Sequence, residues 1–208
     1  MTPPRHLDFI ALMEALGQPG CPACRLAARA ERRFLETLFY EQVTDPEMRE
    51  RLRRSSGFCG QHTAMVLRLG DALGCSIIYA DLLDEASKTL KGGDADRCPA
   101  CRVGANAVTR ALSALVTHVS EEDVLAAYRA SDGLCLRHLG ELTGRSAAGA
   151  KALEAIERER LSRLAEECRE FVAKSDYRRI GEMMGPERNA WQRAARKLGG
   201  GVPENGTH

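Results

Sequence analysis

Apolar residues recur at helical spacing along nearly the whole chain. Leu7, Ile10, Met13 and Leu16 make a short stripe closed by Gly17 and Pro19; steps of three and four residues place such side chains on one helix face. Leu26, Ala30, Phe34 and Leu38 make a second stripe. Thr44-Asp45-Pro46-Glu47 reads as a capping signal with proline in the first turn. It opens a third helix that carries Met48 and Leu52 and ends near Ser55-Ser56-Gly57. Met65, Leu69, Leu73, Ile77, Ala80 and Leu83 predict one long helix, with Gly70 and Gly74 as the points where it could bend. Lys91-Gly92-Gly93-Asp94 is a linker by composition. The order then repeats: a helix with Val103, Ala107, Ala111 and Leu115, a start signal at Ser120-Glu121-Glu122-Asp123, and a short helix with Val124 and Tyr128. A long helix interrupted between Gly144 and Gly149 holds Leu153, Ile156, Leu161, Leu164, Cys168 and Phe171, and a last one starts at Pro186 and holds Trp191. No alternating strand pattern occurs, so the expected fold class is all-α, a helical bundle.

A duplication underlies this repetition. Cys21-Pro-Ala-Cys24 recurs as Cys98-Pro-Ala-Cys101, and Cys59-Gly-Gln-His62 recurs as Cys135-Leu-Arg-His138, 77 and 76 residues later. Gly57-Phe58 and Gly133-Leu134 precede the second motif in the two copies. Six of the eight cysteines and two of the five histidines therefore fall in matching slots. A CxxC with a matching CxxH is metal-ligand spacing, and three Cys with one His is a usual structural-zinc set. The first Cys of CPAC stands at a helix start, beside free backbone N–H groups that favour thiolates.

Composition narrows the partners. The chain has 208 residues with 30 Lys+Arg against 29 Asp+Glu. That balance argues against binding driven by bulk charge to nucleic acid or to a membrane surface. No apolar run reaches the ~18 residues of a membrane span. The N-terminus, with Asp8 and Glu14, does not read as an export signal, which points to the cytoplasm and to thiols kept for metal rather than for disulfides.

Chain length decides how the ligands should pair. A helix from about Pro22 to Glu41 is roughly 30 Å long, and the return to Phe58 covers about that distance. One site per copy is thus feasible: Cys21, Cys24, Cys59 and His62 in the first, Cys98, Cys101, Cys135 and His138 in the second. Pairing His62 with the following CPAC fails if the helix after Cys59 is unbroken, because it would run about 48 Å and the linker could not return. A sharp bend at Gly70 or Gly74 weakens that objection. The expected organisation is an N-terminal helix over 1–20, metal-binding repeats over 21–90 and 98–175 joined by a linker at 91–97, a C-terminal helical segment over 176–198 and a flexible tail over 199–208. Arg25 and Arg102 follow the two CPAC motifs, and Arg137 lies inside the second CxxH; they could offset the −1 charge that three thiolates and a dication leave. Cys75 and Cys168 lie on apolar stripes and read as packed thiols. Glu157 to Arg160 reads as the wet face of a long helix.

The motifs CPAC, Glu41-Gln42-Val43-Thr44-Asp45, Gly57-Phe58-Cys59 with His62, the second CPAC and CxxH, Lys174-Ser175-Asp176-Tyr177-Arg178 and Trp191 span nearly the whole chain. In this the sequence resembles an uncharacterised prokaryotic family with two CPxC…G[FL]CxxH modules, Leu134 standing where the family has an aromatic. The resemblance implies a mostly helical cytoplasmic protein and supplies no activity. It suggests that Glu41, Asp45, Asp176, Tyr177 and Arg178 matter beyond folding. The favoured reading is a non-enzymatic helical protein with two zinc ions in Cys3His sites, acting as an interaction or scaffold module on a protein partner or on itself. One rival is an iron–sulfur electron-transfer or redox-sensing protein. Another is a small-molecule binder or enzyme with a polar site of Glu41, Asp45, His118, Asp176, Tyr177 and Arg178.

Overall fold

The computed structural model describes residues 7–90, 98–143, 148–179 and 181–201. The described residues form ten α-helices and no strand, in keeping with an all-α protein. The Lys91–Asp94 linker and residues 144–147 lie outside them. The chain divides into two compact units. One takes in the chain up to Leu26 and from Val108 onward; the other is Ala27–Ala107, inserted into the first.

From Ala27 onward α2 (Pro22–Thr37) belongs to the inserted unit, where it runs into a π-helical turn over Leu38–Gln42. The next helix, α3 (Pro46–Ser55), starts where the capping signal stands: the Asp45 side chain accepts the Met48 amide at 2.7 Å, and Pro46 fills the first turn. The predicted long helix is instead two, α4 (Gly60–Leu69) and α5 (Ala72–Thr89). Gly70 ends α4 in the left-handed conformation (φ 73°), which glycine adopts without the cost a Cβ imposes, and Asp71 caps α5 by accepting the Gly74 amide at 2.9 Å. The break resets the helical phase. Val66, Ile78 and Leu82 enter the core with Leu35, Leu38, Phe39, Met48 and Leu52, while the expected Leu69, Leu73 and Leu83 are exposed. Cys75 packs against this core, as a packed thiol should.

The other unit holds α1 (Leu7–Leu16), the later part of α6 (Pro99–His118), α7 (Glu122–Ala130), α8 (Leu136–Thr143), α9 (Ala148–Lys174) and α10 (Ala190–Gly199). Helix α1 packs on α7, and α8, α9 and α10 pack on one another. In α1 the buried face is Phe9, Leu12, Ala15 and Leu16; of the predicted stripe Leu16 is in it, while Leu7 and Ile10 are exposed. Ala107, Ala111, Leu115, Val124 and Tyr128 are buried as the periodicity requires. On α9 the buried face is Ala150, Leu153, Glu157 and Leu164. Glu157 is therefore not on a wet face: it is fully buried. None of the described helices is long and apolar enough to cross a membrane.

Candidate metal centres

All four motifs use the same local device. Helix α2 starts at Pro22 and α6 at Pro99, so Cys21 and Cys98 each stand at a helix N-terminus, with Cys24 and Cys101 one turn inside. Cys59 is the N-cap of α4 and Cys135 directly precedes α8, with His62 and His138 one turn in. Residues three apart share a helix face, so each motif aims two ligands at one point. The positive end of each helix favours the thiolate form there. The glycine two residues before each CxxH cysteine turns the chain into that cap: Gly57 has φ 92° and Gly133 φ 69°.

The ligands assemble into two quartets, each joining the CPAC of one copy to the CxxH of the other. The outer centre is Cys21, Cys24, Cys135 and His138; the inner centre, nested within it along the chain, is Cys59, His62, Cys98 and Cys101. This corrects the expectation of one site per copy, and the reason is the break at Gly70. The objection to this pairing assumed one unbroken helix of about 48 Å after Cys59; with the chain broken at Gly70 into α4 and α5, of about 15 and 27 Å, no single rod separates His62 from the second CPAC.

The separations suit a single ion. In the inner centre His62 Nδ1 lies 3.1, 3.6 and 3.4 Å from the sulfurs of Cys59, Cys98 and Cys101, and Cys59 Sγ is 3.6 Å from Cys101 Sγ. In the outer centre His138 Nδ1 is 3.5, 3.5 and 3.3 Å from Cys21, Cys24 and Cys135, and Cys24 Sγ is 3.8 Å from Cys135 Sγ. Tetrahedral zinc with Zn–S about 2.3 Å and Zn–N about 2.0–2.1 Å has S···S edges near 3.8 Å and S···N edges near 3.6 Å. Among the protein groups alone, the quartets titrate unevenly. Burial pushes the Cys59 thiol up, but hydrogen bonds from His62 and Cys101 outweigh it and bring it to about 7. Cys101 is pushed up to about 12 by burial and by Cys59 and Cys98. In the outer centre hydrogen bonds with Cys135 and Cys24 push Cys21 up. Burial disfavours the His138 imidazolium, yet contacts with Cys135 and Cys24 raise it to about 9. Three thiols so close cannot all ionise unaided; a dication stabilises the set together, and the residues fit one.

Supporting groups differ between the centres. His62 Nε2 is buried without a hydrogen bond, and the Glu31 carboxylate on α2 is the acidic group beside it, at 3.3 Å; a carboxylate so placed can orient a metal-bound imidazole. We expect Glu31→Ala to weaken zinc binding at the inner centre by about 10–100-fold and to leave the outer centre unchanged. Chelator competition measures both affinities; equal affinity in variant and parent would make Glu31 a bystander. At the outer centre the Gly201 amide donates to Cys24 Sγ at 3.3 Å. The start of the expected flexible tail thus rests on a ligand; residues 202–208 lie outside the described chain. Arg25 donates to the Pro19 carbonyl at 2.5 Å, whereas Arg102 and Arg137 are exposed.

A buried ionic network holds the loop that presents Cys135. Glu157 Oε1 accepts from the Tyr128 hydroxyl at 2.5 Å, from the Leu134 amide at 3.2 Å and from Arg160. Glu157 Oε2 pairs with Lys197 of α10. Arg160 donates to the carbonyls of Tyr128 and Ser131 at 3.0 and 3.1 Å, and Lys197 to that of Asp132 at 3.0 Å. Burial and then the Glu157 charge push the Tyr128 phenol up, keeping it a neutral donor. A Cβ at Gly133 would push against the head groups of Arg160 and Glu157, and its φ of 69° already favours glycine. None of these residues was singled out from the sequence as part of a site.

The proposed polar residues find local partners instead. Asp45 is a helix cap. His118 is buried, its Nδ1 2.6 Å from Glu121 Oε1 and its ring edge-on to Phe9 at 4.8 Å. Asp176 accepts the Arg178 amide at 2.9 Å, and Arg178 Nε donates to the Tyr177 hydroxyl at 3.0 Å, all three exposed. Glu41 is exposed on the π-turn. In the same segment Lys174 pairs with Glu187 at 2.8 Å, tying the turn before α10 to α9.

Comparison with known proteins agrees with the duplication. The model of a family of unknown function, DUF6062, matches twice, over residues 5–96 and 93–205. An uncharacterized 23.9 kDa protein in the xynA 3′ region of Caldicellulosiruptor sp. (strain Rt8B.4) is 24% identical over 204 residues, covering 91% of this chain and 99% of that protein. No solved structure matches. With both copies matched, the chain belongs to the family of unknown function DUF6062.

Proposed function

We propose that this chain is a zinc-stabilised helical protein in which two Cys3His centres serve structure, and that it acts as an interaction or scaffold module. The observation that carries the reading is that all four ligand atoms of each quartet lie within 4.8 Å of one another, the spacing of a closed tetrahedron round one ion. Four protein ligands leave no coordination position for a substrate or a water, which argues for a structural rather than a catalytic metal. An iron–sulfur cluster fits less well, since its ligands bind different irons and its core would hold them further apart. When bound, the ion supplies folding free energy by locking helix N-termini together. The partner expected is another protein or a second copy of the chain.

Metal analysis of protein purified without oxygen tests the reading. The expected result is two zinc ions per chain and no visible absorption. A brown protein containing iron and inorganic sulfide would overturn it.

A further inference from the structure

Beside the outer centre lies a cavity of about 230 Å³ whose wall includes Cys21 and Cys135. Its charge is one-sided. Arg129, Arg160, Arg163, Arg193, Arg196 and Lys197 line it, against two carboxylates, Asp132 and Glu167. Both carboxylates are already engaged: Asp132 accepts the Gly20 amide at 2.6 Å, and Glu167 pairs with Arg193 at 2.5 Å. Arg160 and Lys197 are held by Glu157. That leaves Arg129, Arg163 and Arg196, which have no carboxylate partner among the described residues. They come from three helices, α7, α9 and α10, and converge on one concave wall. Counting the −1 of a metal-loaded quartet and the charge of Glu157, two positive charges remain uncompensated. A chain with near-balanced overall charge has gathered this excess in one place.

We propose that this cavity binds a small phosphate-class anion, held by the guanidinium groups of Arg129, Arg163 and Arg196. Guanidinium forks match the paired oxygens of a phosphate and make charge-assisted hydrogen bonds. The volume admits inorganic phosphate or a small phosphomonoester and excludes a large cofactor. Because Cys21 and Cys135 share the wall, a bound anion would sit against the outer centre.

The test is a titration of the zinc-loaded full-length chain with inorganic phosphate, in a non-phosphate buffer at fixed ionic strength, followed by amide NMR shifts. The expected result is saturable binding with shifts gathered at residues 129–135, 160–164 and 193–197. Arg163→Gln with Arg196→Gln should weaken binding by about tenfold per arginine removed while the zinc content stays at two. Both residues are exposed, so the fold should survive; the single variant Arg129→Gln gives an independent loss. Exposed Arg102→Gln, outside the cavity, should change nothing. Shifts that do not saturate, binding undiminished in the variants, or binding of an RNA oligonucleotide without binding of phosphate would each overturn the proposal.

Discussion

Replacing Cys59 with alanine is expected to remove one of two metal ions and with it the folded state of the inserted unit. Apparent zinc-binding free energies in structural sites are about 10–16 kcal/mol, whereas a whole domain is stable by only about 5–15 kcal/mol. The core of Leu35, Leu38, Met48, Leu52, Val66, Ile78 and Leu82 is small, and the inner centre ties α4 to α6 across a 42-residue separation between Cys59 and Cys101. Pinning segments that far apart restricts the unfolded chain more than a local clamp does. Cys75→Ala is the control: that thiol packs on the same core without joining a quartet, so the variant should keep two ions and lose about 1 kcal/mol. Metal content together with thermal unfolding reads both outcomes. A Cys59→Ala protein with unchanged melting and two ions would remove the structural role assigned to the inner centre.

Glu157→Leu should produce the second-largest effect, about 3–5 kcal/mol of destabilisation. Glu157 is fully buried and faces two cations, Arg160 and Lys197, as well as the Tyr128 hydroxyl. Removing the anion strands both cations in a region of low dielectric, and that penalty, more than any lost attraction, sets the magnitude. The Leu134 amide loses its acceptor too, so the loop presenting Cys135 should loosen and zinc affinity at the outer centre should fall. Denaturant unfolding gives the stability change, with Glu159→Gln, exposed on the same helix, expected within about 0.5 kcal/mol of the parent. A Glu157→Leu protein as stable as its parent would show that the network contributes no net stability.

The helices and the eight ligands were legible because each is a local signal. Asp45 and Pro46 announce α3, and the CPAC and CxxH spacings are set by one helical turn. The pairing of the quartets was not, because it depends on a single break in the helix at Gly70. A continuous apolar stripe from Met65 to Leu83 argued for one helix, and that phase hid the break. The sequence hides the burial of Glu157 for a related reason. Its neighbours Arg158 and Glu159 are exposed and made the run look wet, yet Ala150, Leu153, Glu157 and Leu164 are spaced three, four and seven apart, an apolar seam with one charge in it. Periodicity would have flagged Glu157, but only α10 delivers Lys197 to it, and that contact spans 40 residues of sequence. The convergence of Arg129, Arg163 and Arg196 is tertiary in the same sense.

The exchanged pairing is tested most directly by counting zinc in two double variants. Cys21→Ala with Cys135→Ala removes two ligands of the same quartet, and this protein is expected to keep one ion. Cys21→Ala with Cys59→Ala removes one ligand from each quartet and should keep none. The reverse outcome, no ion in the first variant and one in the second, would mean that each copy closes its own site, and the exchange would be wrong.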